Sequence, residues 1–275
     1  FTTLDITHAI DEAKTTLKDN QEIVVFDSKN PFNFYDVFHR IENISDQQVY
    51  GILTKPDTVG IFPLIIGVAG SAGWGEHHYG YLERYLEMDF AVFSLHSFKS
   101  RNVESTVGEQ LTVTIPMMIH DAFMALKKLS EDGNIDASRA GLTGWSLGGG
   151  VTLFSAWAPI QEAISPGLKF AAHLPFYPPC MIMPDELRFN DVPIHILTGE
   201  LDDWVPAAAC EELIEAANNS GYDIDITIYP GASHSFDRTM EVVLDENAYS
   251  FTDCRLKLTE NGVVRMLNGF PLSSP

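Results

Sequence analysis

The sequence predicts an α/β fold: a mostly parallel central sheet with helices on both faces and an antiparallel hairpin at the N-terminal edge. Three observations predict it. First, Phe62 to Val68 is a continuous apolar run, as a strand covered on both faces requires, and Phe90 to Leu95 and Ile194 to Leu197 are further, mostly apolar runs of strand length. Second, segments with helical spacing of apolar residues stand between the strand runs, so strand and helix alternate along the chain. Third, the turn after Arg139 to Thr143 reads Gly144-Trp145-Ser146-Leu147-Gly148-Gly149-Gly150 and leads straight into Val151-Thr152-Leu153-Phe154, which is strand, tight turn, helix.

In chain order, residues 1–20 read as helix. Phe34 to Ile44 and Gln48 to Thr54 carry alternating apolar residues and read as the edge hairpin. Phe62 to Val68 is a buried strand, Tyr79 to Met88 a helix and Phe90 to Leu95 a second buried strand. Thr112 to Leu129 has helical spacing and ends near Lys127-Lys128, where cations favour a helix C-terminus. Phe170 to Leu174, Ile194 to Thr198 and Ile224 to Tyr229 read as further strands, with Ala207 to Asn218 a helix between the last two. The tail reads as a helical segment. With no repeat, low-complexity block or linker, 1–275 reads as one domain: helix and edge strands over 1–55, a catalytic core over 56–240, and a C-terminal segment over 241–275.

Composition narrows the partners. Of 275 residues 45% are apolar, enough for one large core. The 38 acidic residues against 17 basic ones give a formal charge of −21, the wrong sign for nucleic acid or an anionic membrane surface. No stretch approaches the roughly 18–20 continuous apolar residues of a membrane helix. The chain opens on Phe1, which reads as loss of something upstream. Adjacent His77 and His78 point different ways and have no acidic cluster at ligand spacing, so neither a metal nor any other cofactor is expected. Asp121, on the long helix, reads as structural.

The chemistry is expected on three loops. A serine on a Gly-x-Ser-x-Gly turn holds strained backbone geometry that pushes its hydroxyl out at the C-terminal edge of the sheet. The hydroxyl is a weak nucleophile and needs a base, which needs an acid to fix its tautomer. Both follow in the order Ser, Asp, His. Thr198-Gly199-Glu200-Leu201-Asp202-Asp203-Trp204-Val205-Pro206 follows one strand and Pro230-Gly231-Ala232-Ser233-His234-Ser235-Phe236-Asp237 the next. Ser146, Asp202 and His234 are therefore the expected nucleophile, acid and base. Asp203 competes for the acid role, and Glu200 would serve only in a shifted loop. Two backbone N–H groups should hold the oxyanion: that of Leu147, and one from Ala69-Gly70-Ser71-Ala72-Gly73-Trp74-Gly75, where Ser71 is expected and Gly70 is the alternative.

These motifs resemble the dienelactone hydrolase family of α/β-hydrolases. The matching segments are the Gly70-to-Gly73 loop, Gly144 to Gly149, Gly199 to Pro206 and Tyr229 to Asp237, spread through most of residues 50–240. The resemblance implies an α/β-hydrolase fold and the triad Ser146, Asp202 and His234. It departs at two places. Dienelactone hydrolases proper use a cysteine nucleophile where this chain has Ser146, and related loops commonly read His-Gly where it has Ala69-Gly70. The serine-containing branch often carries cysteines like Cys180 and Cys210, which implies a Cys180–Cys210 disulfide, an unpaired Cys254 and export to the periplasm or the outside. With free thiols the cytoplasm is expected instead.

Trp74, Trp145, Trp204, Phe176 and Tyr177 fall in or beside the site loops and are candidates for lining the pocket. Arg101 follows Phe90 to Leu95, and the resemblance suggests that it holds a substrate carboxylate. No insertion is long enough for a large lid. The expected activity is a serine hydrolase cleaving a small carboxylic ester or lactone through an acyl-enzyme. A peptidase or carbohydrate acetyl esterase with the same triad is the alternative, and a non-catalytic binding protein on the same scaffold is a further one.

Overall fold

A computed structural model describes residues 6–246 and 249–267. The parts of the N-terminal helix and the C-terminal segment that were read over residues 1–5, 247–248 and 268–275 lie outside the described residues. In chain order the elements are α1 (Thr7–Lys14), β1 (Gln21–Lys29), α2 (Phe34–His39), β2 (Asp46–Thr54), β3 (Phe62–Val68), α3 (Glu76–Glu87), β4 (Ala91–Leu95), α4 (Ile115–Leu129), β5 (Ile135–Trp145) and α5 (Leu147–Ser155). They continue with α6 (Ala158–Ile164), β6 (Ala172–Phe176), β7 (Ile182–Pro184), β8 (Ile194–Gly199), α7 (Ala207–Asn219), β9 (Ile224–Tyr229), β10 (Leu256–Leu258) and β11 (Val264–Met266).

Eight strands form one sheet in the order β1-β2-β4-β3-β5-β6-β8-β9. β1 pairs antiparallel with β2, and β2 antiparallel with β4, while β4 through β9 run parallel. All five residues of β4 and the last six of β5 are buried, which needs cover on both faces of the sheet. α5 packs against β5, β6 and α4, and α3 sits on β3 and β4.

The edge hairpin exists, but its first strand is β1 and not Phe34 to Ile44. Gln21 pairs with Thr54 and the register runs to Lys29 opposite Asp46. Phe34 to His39 is helix α2, because Asn33 caps it by accepting the Asp36 N–H at 2.9 Å. Phe34 then packs edge-on against Phe154 and Trp157, so its apolar spacing serves a helix face.

The C-terminal segment is corrected as well. Its described part holds no helix: β10 pairs antiparallel with β11 and parallel with β7 in a separate three-stranded sheet. Leu256-Lys257-Leu258 alternates with a period of two, and Leu258 is fully buried.

A disulfide joins Cys180, in the loop after β6, to Cys210 in the first turn of α7, and Cys254 is free. Closing a loop of 30 residues' separation restricts the unfolded chain, worth about 3–4 kcal/mol on the chain-entropy account.

Candidate active site

Ser146 stands between β5 and α5 with φ 55° and ψ −113°, a conformation that L-residues rarely adopt. The turn is possible because its neighbours are glycine. A Cβ on Gly144 would overlap the Gly148 carbonyl, and one on Gly148 would overlap the Val68 carbonyl of β3. The Ser146 N–H donates to Phe176 O at 3.0 Å and Gly150 N–H donates to Ser146 O at 2.9 Å, so the strained residue is held on both sides.

His234 Nε2 lies 3.0 Å from Ser146 Oγ, and His234 Nδ1 lies 2.7 Å from Asp202 Oδ2. A carboxylate accepts, so Nδ1 carries the proton and Nε2 is free to accept from the serine hydroxyl. Asp202 is 4% exposed, and its other oxygen accepts the Trp204 N–H at 3.1 Å and the Val205 N–H at 2.9 Å. Asp203 is exposed, and its carbonyl accepts the Phe251 N–H at 3.1 Å and the Thr252 hydroxyl at 3.5 Å. Glu200 serves the neighbouring loop: its carboxylate accepts the Gly231 N–H at 2.8 Å. Together with Leu201 N–H to Ala232 O at 2.8 Å, this ties the Asp202 loop to the His234 loop.

The loop after β3 lies against the serine turn. A Cβ on Gly70 would come within 3.0 Å of Trp145 O and 3.3 Å of Ser146 Cβ, a tight fit that only a shift of the serine turn would accommodate. Ser71 follows and is 5% exposed. Leu147 opens α5, so its N–H is among the helix's unpaired first donors.

The aromatic candidates divide. Trp74 lines a cavity of about 250 Å³ beside the Gly70 loop, with Tyr79, Leu95, Phe98 and Val103. Trp204 stands at the site, its ring 5.0 Å from His234. Trp145 and Phe176 do not line a pocket: they are 1% and 2% exposed and stack on each other at 5.4 Å inside the core. Tyr177 is also buried rather than open to substrate. Its ring meets His234 edge-on at 4.7 Å and its hydroxyl donates to Asp237 Oδ1 at 2.8 Å. Burial first, then the Asp237 carboxylate, raises the Tyr177 pKa well above the ordinary range. Its hydroxyl stays protonated and holds Asp237.

Arg101 is a correction. Its side chain is 4% exposed and forms a two-point ion pair with Asp121 of α4, at 2.7 Å and 3.0 Å. The remaining donors go to Ser97 O, Asn30 Oδ1 and Lys29 O. No donor is left for a substrate carboxylate, and Asp121 is structural as expected. The cation after β4 that does reach the cavity, Lys99, is paired with Glu104 at 2.6 Å.

His78 is buried beneath the same loop, accepting the Gly75 N–H at Nδ1 (3.0 Å) and packing on Trp145. Burial, aided by His77 and Arg238, pushes its pKa down to about 2, so it is a neutral core residue. Among the described residues no group of three His, Cys, Asp or Glu side chains is arranged to hold a metal, and no helix is long and apolar enough to cross a membrane. Two residues near the site were given no role from the sequence. Asp237 was visible three residues after His234 without a partner to explain it. Arg238 lines a recess with His77 and Glu76 on the far side of Ala72 and Gly73.

Sheet order, serine turn and the three converging loops define the class as an α/β-hydrolase. The chain belongs to the dienelactone hydrolase family, whose profile matches residues 92–259. A Methylorubrum extorquens protein provisionally named carboxymethylenebutenolidase is 25% identical over 194 residues, 66% of this chain and 65% of that protein, so the chain spans just under two thirds of that relative's length. Among solved structures, a Klebsiella pneumoniae protein provisionally named dienelactone hydrolase matches with a TM-score of 0.59 at 18% identity, covering 82% of this chain and 94% of that one. Esterase 2 of Thermogutta terrifontis, solved phosphoramylated by tabun, matches with a TM-score of 0.58 at 15% identity, covering 81% and 87%. The fold is theirs.

Proposed function

We propose that this protein is a serine-dependent carboxylic ester hydrolase in which Ser146, His234 and Asp202 form the catalytic triad. The observation that carries the proposal is the unbroken row from Ser146 Oγ through the His234 ring to the buried Asp202 carboxylate, at 3.0 Å and 2.7 Å.

His234 Nε2 takes the proton from Ser146 Oγ as the oxygen attacks the ester carbonyl, and Asp202 stabilises the resulting imidazolium. The tetrahedral oxyanion is held by the Leu147 and Ser71 N–H groups. Collapse breaks the ester C–O bond, and His234 returns its proton to the departing alcohol. Water, deprotonated by His234, then attacks the acyl-enzyme and releases the acid and the free serine.

The substrate class is a small ester or lactone. The cavity beside the Gly70 loop is walled by Trp74, Tyr79, Leu95 and Phe98, and its one cation is neutralised by Glu104. This favours an uncharged, compact group on that side of the scissile bond. A structural neighbour that is named an esterase and carries an organophosphorus adduct supports the same chemistry. The Cys180–Cys210 bond supports function in an oxidising compartment.

The test is hydrolysis of short acyl p-nitrophenyl esters by the wild type and by Ser146→Ala. The wild type turns over, and the variant loses at least about 10⁴-fold in kcat, leaving only the residual catalysis of binding and the oxyanion hole. An undiminished rate in Ser146→Ala contradicts the proposal.

A further inference from the structure

We infer that Gln110 is a positioning residue for the oxyanion hole, acting through Ser71. The inference rests on the proposed role of Ser71 as the second oxyanion donor and assigns what holds that donor in place.

A backbone N–H stabilises an oxyanion only if its direction is set before charge develops. In a trans peptide the N–H points opposite the carbonyl of the preceding residue, so the Ser71 N–H is aimed by fixing Gly70 O. Gly70 O accepts the Gly73 N–H at 2.9 Å, and Gly70 itself packs on Ser146. The next peptide is fixed from outside the loop: Ser71 O accepts the Thr106 N–H at 2.8 Å and the Ser105 hydroxyl at 3.1 Å. The Ser71 side chain is fixed by Gln110. Both ends of the Gln110 amide lie 3.0 Å from Ser71 Oγ, with the hydroxyl as donor to Oε1 and acceptor from Nε2. The carbonyl and hydroxyl of Ser71 are therefore both held by residues 105–110.

That segment is built to be stiff although it has no helix or strand. Gln110 sits at φ 56°, in the left-handed region, with its N–H on Thr106 O at 2.9 Å. Glu109 closes the following turn by accepting the Leu111 and Thr112 N–H groups at 2.7 Å and 2.9 Å. Thr106 is fully buried. A side chain other than glycine or asparagine in left-handed geometry is costly, and here it aims the amide at Ser71.

The experiment is steady-state hydrolysis of p-nitrophenyl acetate by Gln110→Ala, Gln110→Gly, Gln110→Glu, Ser71→Ala and the Ser71→Ala/Gln110→Ala double variant, with Ser146→Ala and thermal unfolding run alongside. Ser71→Ala keeps the backbone donor and removes only the hydroxyl. Gln110→Ala, Gln110→Gly and Ser71→Ala each lower kcat by about 10–100-fold, with KM within about threefold, since a displacement of about 1 Å costs on that order. Gln110→Gly does so without losing thermal stability, because glycine relieves the left-handed backbone. Gln110→Glu, which keeps an acceptor for the hydroxyl, recovers most of the rate. The double variant is no slower than the singles, because both remove one interaction.

A kcat within twofold of wild type for Gln110→Ala, losses that multiply in the double variant, or a change confined to KM overturns the inference. If Ser146→Ala is inactive while Gln110→Ala is unimpaired, only this inference fails. If Ser146→Ala remains active, the hydrolase proposal falls and takes the inference with it.

Discussion

Asp202 and Asp203 are chain neighbours in opposite environments, and the difference decides which one serves His234. Asp202 is buried and has three donors on its carboxylate, while Asp203 faces solvent. Replacing Asp202 with Asn offers the imidazole an amide and favours the wrong tautomer. Asp202→Asn is therefore expected to lower kcat by about 10⁴-fold, and Asp203→Asn by less than about twofold. Equal losses in the two variants, measured on the same short ester, contradict the assignment. At this scale most of the candidate site was legible in the sequence. Ser146, Asp202 and His234 each follow a strand, and the glycines beside them announce close backbone approach. Gln110 was illegible, because nothing in a lone glutamine 39 residues after Ser71 signals that its amide reaches back to that loop.

Arg101 is placed by one element and oriented by another. Its position after β4 brings it to the site edge, but its guanidinium turns inward to Asp121 of α4 and to the end of β1. Chain position fixes where a side chain starts, while the partner that captures it comes from another element. The pair links β1, the loop after β4 and α4. Arg101→Ala leaves the buried Asp121 carboxylate without its cation, and such a loss costs about 3–5 kcal/mol. Chemical denaturation should show that drop, while KM for a carboxylate-bearing ester stays within about threefold. Unchanged stability with a raised KM would restore the substrate-binding role. The first strand of the edge hairpin was misplaced for a related reason. The alternation in Phe34 to Ile44 suits a strand on its own, yet Asn33 and the Phe154–Trp157 surface recruit it into α2.

Over the whole molecule, the parallel sheet was legible because burial on both faces favours mostly apolar strands, as β3 and β4 are. The small β7-β10-β11 sheet was not, since three-residue strands leave too little pattern to read. Burial also sets the response to acid. His78 is pushed to about 2, and His96, His120 and His173 to about 4, in each case chiefly by burial. Above pH 6.5 these rings are neutral in both the folded and the unfolded chain. Below it the unfolded chain binds protons that the folded chain excludes, so stability falls as pH falls from about 6.5 toward 4, with His78 contributing further down. Each ring adds up to about 1.4 kcal/mol per pH unit within its window. Thermal unfolding followed from pH 7.5 to 5 should show a falling Tm, and a constant Tm contradicts this account.

Whether Ser146 is an activated nucleophile is decided by reacting the protein with a fluorophosphonate and locating the adduct by peptide mass spectrometry. A single stoichiometric adduct is expected on Ser146, absent in Ser146→Ala and strongly slowed in Asp202→Asn. An unmodified protein, or an adduct on another residue with Ser146 untouched, would contradict it.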